Sequence, residues 1–221
     1  MSAADDQHSR NRELTSPDDR YRARLRRPST STALLQQVVA QETANLSATL
    51  ERLRADGSLE LAARRIVAAR RRFITGGAKS WSYASLLATD LSASLANISL
   101  VDPGTVRAVD MLCDVRPDDL LVVFSMRRYA RSTSSVAAEF ASAGGTVVAV
   151  TDDSDSAVAR AAEVAVVVHT DSASYADSPT AVAAVVHILA TLSAASAKGA
   201  RRRLARRDEL TARLNIYTDG S

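Results

Sequence analysis

Apolar residues recur at three- and four-residue spacing over residues 32–53, where Leu35, Val38, Val39, Leu46, Leu50 and Leu53 share one face. That period predicts an amphipathic helix. Asp56-Gly57 interrupts it, and a second helix is predicted over 59–70, with Leu61, Ile66 and Val67 inward and arginines outward. The period then switches. Short Val- and Ile-rich runs at 72–75, 97–101, 120–124, 146–151 and 164–168 read as strands. Helical patterns at 80–95, 105–113, 132–143, 156–162 and 179–197 follow them in alternation. Strands that are apolar on both faces and alternate with helices predict an α/β fold: a doubly wound parallel sheet of about five strands, flanked by helices in a three-layer sandwich. A basic helix at 198–215 carries Arg201, Arg202, Arg203, Arg206 and Arg207.

The same pattern divides the chain. Residues 1–31 hold Pro17, Pro28 and Arg20, Arg22, Arg24, Arg26 and Arg27 without apolar periodicity, and are expected to be a disordered basic arm. Residues 32–71 form a helical connector, 72–198 the sheet domain, and 199–221 a basic helix and tail. Apolar residues make up 46% of the 221, which excludes disorder of the whole chain, and only 4% are aromatic, which suits Ala, Val and Leu helices on a parallel sheet. The net charge of +3 is too small and patchy to argue for nucleic-acid binding. The start, MSAADDQHSR, has no apolar core of a signal peptide, and 179–197 is too mixed for a membrane span; a cytoplasmic location is expected. Cys113 is the single cysteine, so no disulfide framework forms within one chain; its helical pattern predicts a small core residue.

Ligands of open α/β sheets bind beyond the carboxyl ends of the strands. Three loops leave strand ends there. In Thr75-Gly76-Gly77-Ala78-Lys79-Ser80, Gly76 and Gly77 permit close backbone approach, Lys79 adds a charge, and Ser80 a hydroxyl at a helix start. The loop lacks the glycine spacing of a dinucleotide fingerprint and the Gly-Lys-Ser order of a Walker loop, so no nucleotide cofactor is expected. A plain glycine turn with Ser80 as N-cap is the alternative. The second loop ends the strand at Ser125 and continues through Arg127, Arg128, Tyr129 and Arg131 into Ser132, Thr133, Ser134 and Ser135. A hydroxyl, helix-start amides and forked guanidinium groups together make a phosphate cradle. The third, Thr151 to Ser156, reads as an acidic turn with a helix cap; no metal site is expected, because no paired His or Cys ligands lie nearby. Asp177-Ser178-Pro179 is a good helix start, and Ser178 contacts the ligand if that end faces the same cleft. His169 and His187 are expected to be structural.

These loops look like a sugar isomerase (SIS) domain. "LLVVFSMRRYARST", "GGTVVAVTDDSDSAVARAAEVAVVV" and "SYADSPTAVAAVVHILATL" resemble the effector domain of the RpiR/MurR family of bacterial transcriptional regulators. "VVAQETANLSATLERL" and "AARRIVAARRRFITGG" resemble that family's connector and first strand, so the similarity spans residues 33–215. The resemblance implies a sandwich that binds a phosphorylated sugar or related anionic carbohydrate, with Ser80, Ser125 and the arginine turn at the phosphate and Tyr129 and Ser178 at the sugar. It also implies a homodimer or higher oligomer. The widespread second-loop pattern is Ser-x-Ser-Gly-x-Thr; here Arg127, Arg128 and Ala130 replace its second Ser, Gly and Thr, and Thr133 partly replaces the lost hydroxyl. That implies a pocket of altered charge and size, for a bulkier or more acidic ligand. The family's helix-turn-helix has no room in 1–31, so this is expected to be a free-standing effector domain or a chain whose start was placed too late. DNA contact is then expected only nonspecifically, through Arg20 to Arg27 and Arg201 to Arg207, or through a partner. The alternative is an aldose–ketose isomerase with its base among Glu139, Glu163, His169 and His187, none in a catalytic context, so no catalytic residue is assigned.

Overall fold

The computed structural model describes residues 16–25 and 30–217. Its helices are α1 (Pro17–Arg24), α2 (Ser31–Asp56), α3 (Ser58–Ala68), α4 (Ser80–Ser94), α5 (Val106–Cys113), α6 (Arg131–Ser142), α7 (Ala157–Ala161), α8 (Thr180–Ser196) and α9 (Ala200–Arg213). The strands are β1 (Arg71–Gly76), β2 (Ile98–Leu100), β3 (Asp119–Ser125), β4 (Thr146–Thr151) and β5 (Val164–Val167). Every expected element of the sheet domain is present, with ends that differ by a residue or two.

The sheet is parallel throughout, in the order β2-β1-β3-β4-β5. Alternation along each strand splits the core in two. Leu120, Val122 and Phe124 of β3, with Val148 and Val150 of β4, pack beneath α2, α3, α4 and α8. Leu121, Val123, Val147 and Ala149 face α5, α6 and α7. Helices on both faces bury β1, β3, β4 and β5 almost completely, which is why those strands read as apolar runs, while the edge strand β2 keeps Ser99 and Leu100 exposed. The chain winds outward in both directions from β1 and β3, so the topological switch point lies between them, and their carboxyl ends open a crevice.

At the opposite edge an ion cluster ties the two central strands together. Arg71 and Asp119 are register partners. Arg71 donates to Asp119 at 2.9 Å and 2.6 Å, and the Arg116 amide adds a third bond at 2.9 Å. Burial alone would raise the Asp119 pKa; the hydrogen bonds from Arg71 and Arg116 and the charges of Arg71 and Arg70 reverse this and hold it below the usual carboxylate range.

Two sequence expectations are corrected here. The arm expected to be disordered over 1–31 contains α1. Apolar periodicity could not reveal it, because the helix buries only Arg20. Local signals make it instead: Ser16 caps the Asp19 amide at 3.0 Å, Pro17 starts the first turn, and Arg22 pairs with Asp18 at 2.8 Å. The rest of the arm, 1–15 and 26–29, lies outside the described residues, as does the tail at 218–221. Cys113, expected in the core, is exposed. The buried stripe of α5 is only Ala108 and Met111, and Cys113 lies two residues past Met111, on the far side of the helix. Among the described residues no single helix is long and apolar enough to cross a membrane.

Candidate functional site

The crevice at the switch point holds a cavity of about 400 Å³, within the range of small-molecule sites. Gly77, Ala78, Lys79 and Ser80 line it from the loop after β1, and Met126, Arg127 and Arg128 from the loop after β3. Thr170 and Tyr175 to Ser178 line it from the segment between β5 and α8, and Tyr83 from α4. Pro17 and Arg20 of α1 complete the wall.

The arginine turn after β3 is braced from β4. The Tyr129 hydroxyl donates to Asp152 Oδ1 at 2.9 Å, the Arg127 amide donates to Oδ2 at 3.2 Å, and Arg127 Nε lies 3.7 Å from the same oxygen. Burial raises the Asp152 pKa, against the pull of Tyr129 and Arg127. The Tyr129 hydroxyl is itself pushed up, by desolvation and by the Asp152 charge. Arg127 therefore has a counter-ion within the protein. Arg128 takes a left-handed backbone (φ 58°) and is exposed.

Behind this turn two hydroxyls are buried without a hydrogen-bond partner, Ser125 Oγ and Thr133 Oγ1. Ser125 adjoins the cavity through Met126. Thr133 sits on the first turn of α6, whose N-cap Ala130 supplies no side-chain acceptor for the helix amides. Gly77 packs against it: a Cβ at Gly77 would lie 2.8 Å from Thr133 Oγ1. A Cβ at Gly76 would lie 2.6 Å from the Ser80 carbonyl oxygen. The two glycines, expected to admit a ligand, thus first admit the starts of α4 and α6.

The segment before α8 is held by α2. Ser178 Oγ donates to Glu42 Oε2 at 2.5 Å and accepts the Thr180 amide at 3.3 Å. Asn45 donates to the Asp171 carbonyl at 2.5 Å, and Thr49 accepts the His169 amide at 2.9 Å. Lys79 Nζ bonds the Asp177 carbonyl, and Arg20 donates to Asp177 Oδ1 at 2.5 Å. Tyr83, beneath them, is raised to about 12 by burial and by Asp177 and Glu42.

Of the residues read from the sequence, Gly77, Lys79, Ser80, Arg127, Arg128 and Ser178 line one cavity. Gly76, Ser125, Tyr129 and Thr133 do not, and lie behind or beside it. Sequence reasoning missed Asp152, Glu42, Asp177 and Arg20. Asp152 looked like part of a solvated turn; the signal against that was its place one residue past a buried strand paired with the strand that ends in Ser125. Ser156 does cap α7, accepting the Ala159 amide at 3.3 Å. None of Glu139, Glu163, His169 and His187 lines the cavity. His187 is exposed rather than structural, and Glu163 pairs on the surface with Arg65 at 2.5 Å.

Residues 65–198 match the SIS domain family. The sugar isomerase domain of an RpiR transcription factor from Sphaerobacter thermophilus is 27% identical, with a TM-score of 0.74 over 80% of this chain and 98% of that one. The Vibrio vulnificus NanR protein, complexed with ManNAc-6P, is 16% identical, with a TM-score of 0.67 over 82% of this chain and 69% of that one. A phosphoheptose isomerase from Francisella tularensis is 17% identical, with a TM-score of 0.62 over 74% of this chain and 98% of that one. No curated protein sequence matches the chain.

Proposed function

The chain belongs to the SIS domain family, and from that premise we propose that it is a phosphosugar-binding module that senses its ligand rather than converting it. In this reading it is the effector part of an RpiR-type transcriptional regulator, acting in the cytoplasm as a homodimer. The observation that carries the binding reading is the pair of buried, unpartnered hydroxyls, Ser125 Oγ and Thr133 Oγ1, beside an uncapped helix start. A buried hydroxyl without a partner is costly, and an anion's oxygens would satisfy both together with the first amides of α6. Lys79, Ser80 and Arg128 would meet the same phosphate from the cavity wall, and Ser178 and Tyr83 the sugar. Tyr129 is reassigned from the sugar end to bracing the turn, because its hydroxyl is already given to Asp152.

The similarity to an RpiR domain and to a NanR–ManNAc-6P complex supports a phosphosugar as the ligand class. Exposed Leu35 and Val39 on α2 and Val106 and Val109 on α5 support pairing of copies. An isomerase has less support, since the four bases considered for it lie outside the cavity wall.

Calorimetric titration of the chain with hexose 6-phosphates, N-acetylamino-sugar 6-phosphates, pentose 5-phosphates and the parent sugars tests the reading. Binding of a phosphorylated sugar but not its parent, weakened in Ser125→Ala, is the expected result. Equal binding of both forms, or none, rejects it.

A further inference from the structure

We infer that Arg20, carried on α1 from outside the SIS domain, is an anion-binding residue of the cavity, and that its guanidinium exchanges the Asp177 carboxylate for the ligand's phosphate. The inference rests on the phosphosugar reading and adds a residue that the domain itself does not contain.

Helix α1 is not held by apolar packing. Its one buried residue is Arg20, which is 2% exposed, while Tyr21 is 52% exposed. Polar contacts hold it across the cavity mouth: Arg20 to Asp177 Oδ1 at 2.5 Å, and Arg24 to the Ser174 carbonyl at 2.7 Å. An arginine is buried at such a place only with compensation. Here compensation is partial, because Arg20 Nε is buried with no hydrogen-bond partner. The guanidinium thus has donors to spare and lines the space that a ligand would enter.

The balance of charge points the same way. Among the described residues the wall carries Arg20, Lys79, Arg127 and Arg128, against Asp177 as its one carboxylate. Arg127 is answered by Asp152 from behind. Asp177 therefore occupies the guanidinium as an internal anion, and a phosphate, with more acceptor oxygens in the same fork geometry, is suited to displace it.

Titration with inorganic phosphate, glucose 6-phosphate and the other phosphorylated sugars of the panel above tests this on the full chain, using Arg20→Gln, Arg20→Lys, Asp177→Asn and Ser125→Ala, each checked to be folded at the titration temperature by a cooperative thermal transition. Arg20→Gln is expected to weaken binding about tenfold, with Arg20→Lys intermediate, and Asp177→Asn to tighten it severalfold, because the competing carboxylate is gone. If Arg20 only pins α1 through Asp177, Arg20→Gln and Asp177→Asn will shift affinity in the same direction, and the inference is overturned. If Ser125→Ala weakens binding and Arg20→Gln does not, the inference falls while the phosphosugar reading stands. If the unmodified chain binds none of these phosphates, the phosphosugar reading fails and takes this inference with it.

Discussion

The Tyr129 hydroxyl lies 2.9 Å from Asp152 Oδ1, so the turn that leaves β3 is fastened to the end of β4 by a side chain. The same carboxylate faces the Arg127 amide and guanidinium. Asp152→Ala should therefore cost about 2–4 kcal/mol, since it strands a largely buried arginine and a desolvated hydroxyl. Tyr129→Phe should cost only about 1 kcal/mol. Urea denaturation of both variants checks the difference; equal losses would mean that the arginine contacts contribute nothing.

Stability should fall in acid through Asp119. Its folded pKa is depressed, so the stabilisation is fully present above the unfolded carboxylate value of about 4. It is lost as pH falls below that value through the folded pKa. Asp152, raised by burial, works in the opposite sense: its ionised form is the costly one, and it gains relative stability on protonation. Melting temperatures from pH 7 to pH 2 should show a loss below pH 4 that is shallower in Asp119→Asn. That variant should also be less stable at pH 7, because Arg71 then lacks its counter-ion.

Ser125→Ala separates binding from folding. The hydroxyl is buried and has no protein partner, so its removal should leave stability unchanged or raise it by up to about 1 kcal/mol. Affinity for a phosphorylated sugar should fall about tenfold. Chemical denaturation beside calorimetry decides, and a large loss of stability would show that the hydroxyl serves the fold.

Gly76→Ala should be among the most damaging single changes. The new methyl would lie 2.6 Å from the Ser80 carbonyl oxygen and 3.2 Å from that of Phe124. Backbone on both sides cannot step aside, so a loss of about 2–4 kcal/mol is expected in thermal or urea unfolding. Gly57→Ala is a contrasting control: open space surrounds Gly57, and only its left-handed backbone (φ 67°) resists, for a loss of about 1 kcal/mol.

The sheet was legible because four of its five strands are buried on both faces. Runs such as Leu120 to Phe124 carry that burial in their composition. The glycine and arginine turns were legible because residue type alone marks them. Asp152 was not, since an acid after a strand looks the same whether it faces water or a neighbouring turn. Only the β3–β4 pairing brings it to Arg127. Glu42 and Ser178 meet across 136 positions of chain, and no local period reports such a contact. Helix α1 is the clearest loss: an eight-residue polar segment docked by an ion pair and an arginine-to-carbonyl hydrogen bond has no hydrophobic pattern to read.

Helix α2 touches the segment between β5 and α8 at Glu42, Asn45 and Thr49, three residues on one face in successive turns. It has 26 residues and so runs for about 39 Å. Such a rod is a lever with its short arm at the ligand. Asn45 lies 14 residues, about 21 Å, from Ser31, so a tilt of about 10° imposed at that segment would swing the Ser31 end by about 4 Å. An adjustment of that segment around a bound anion would thus be enlarged at Ser31, in the stretch of chain that follows α1 and Arg20.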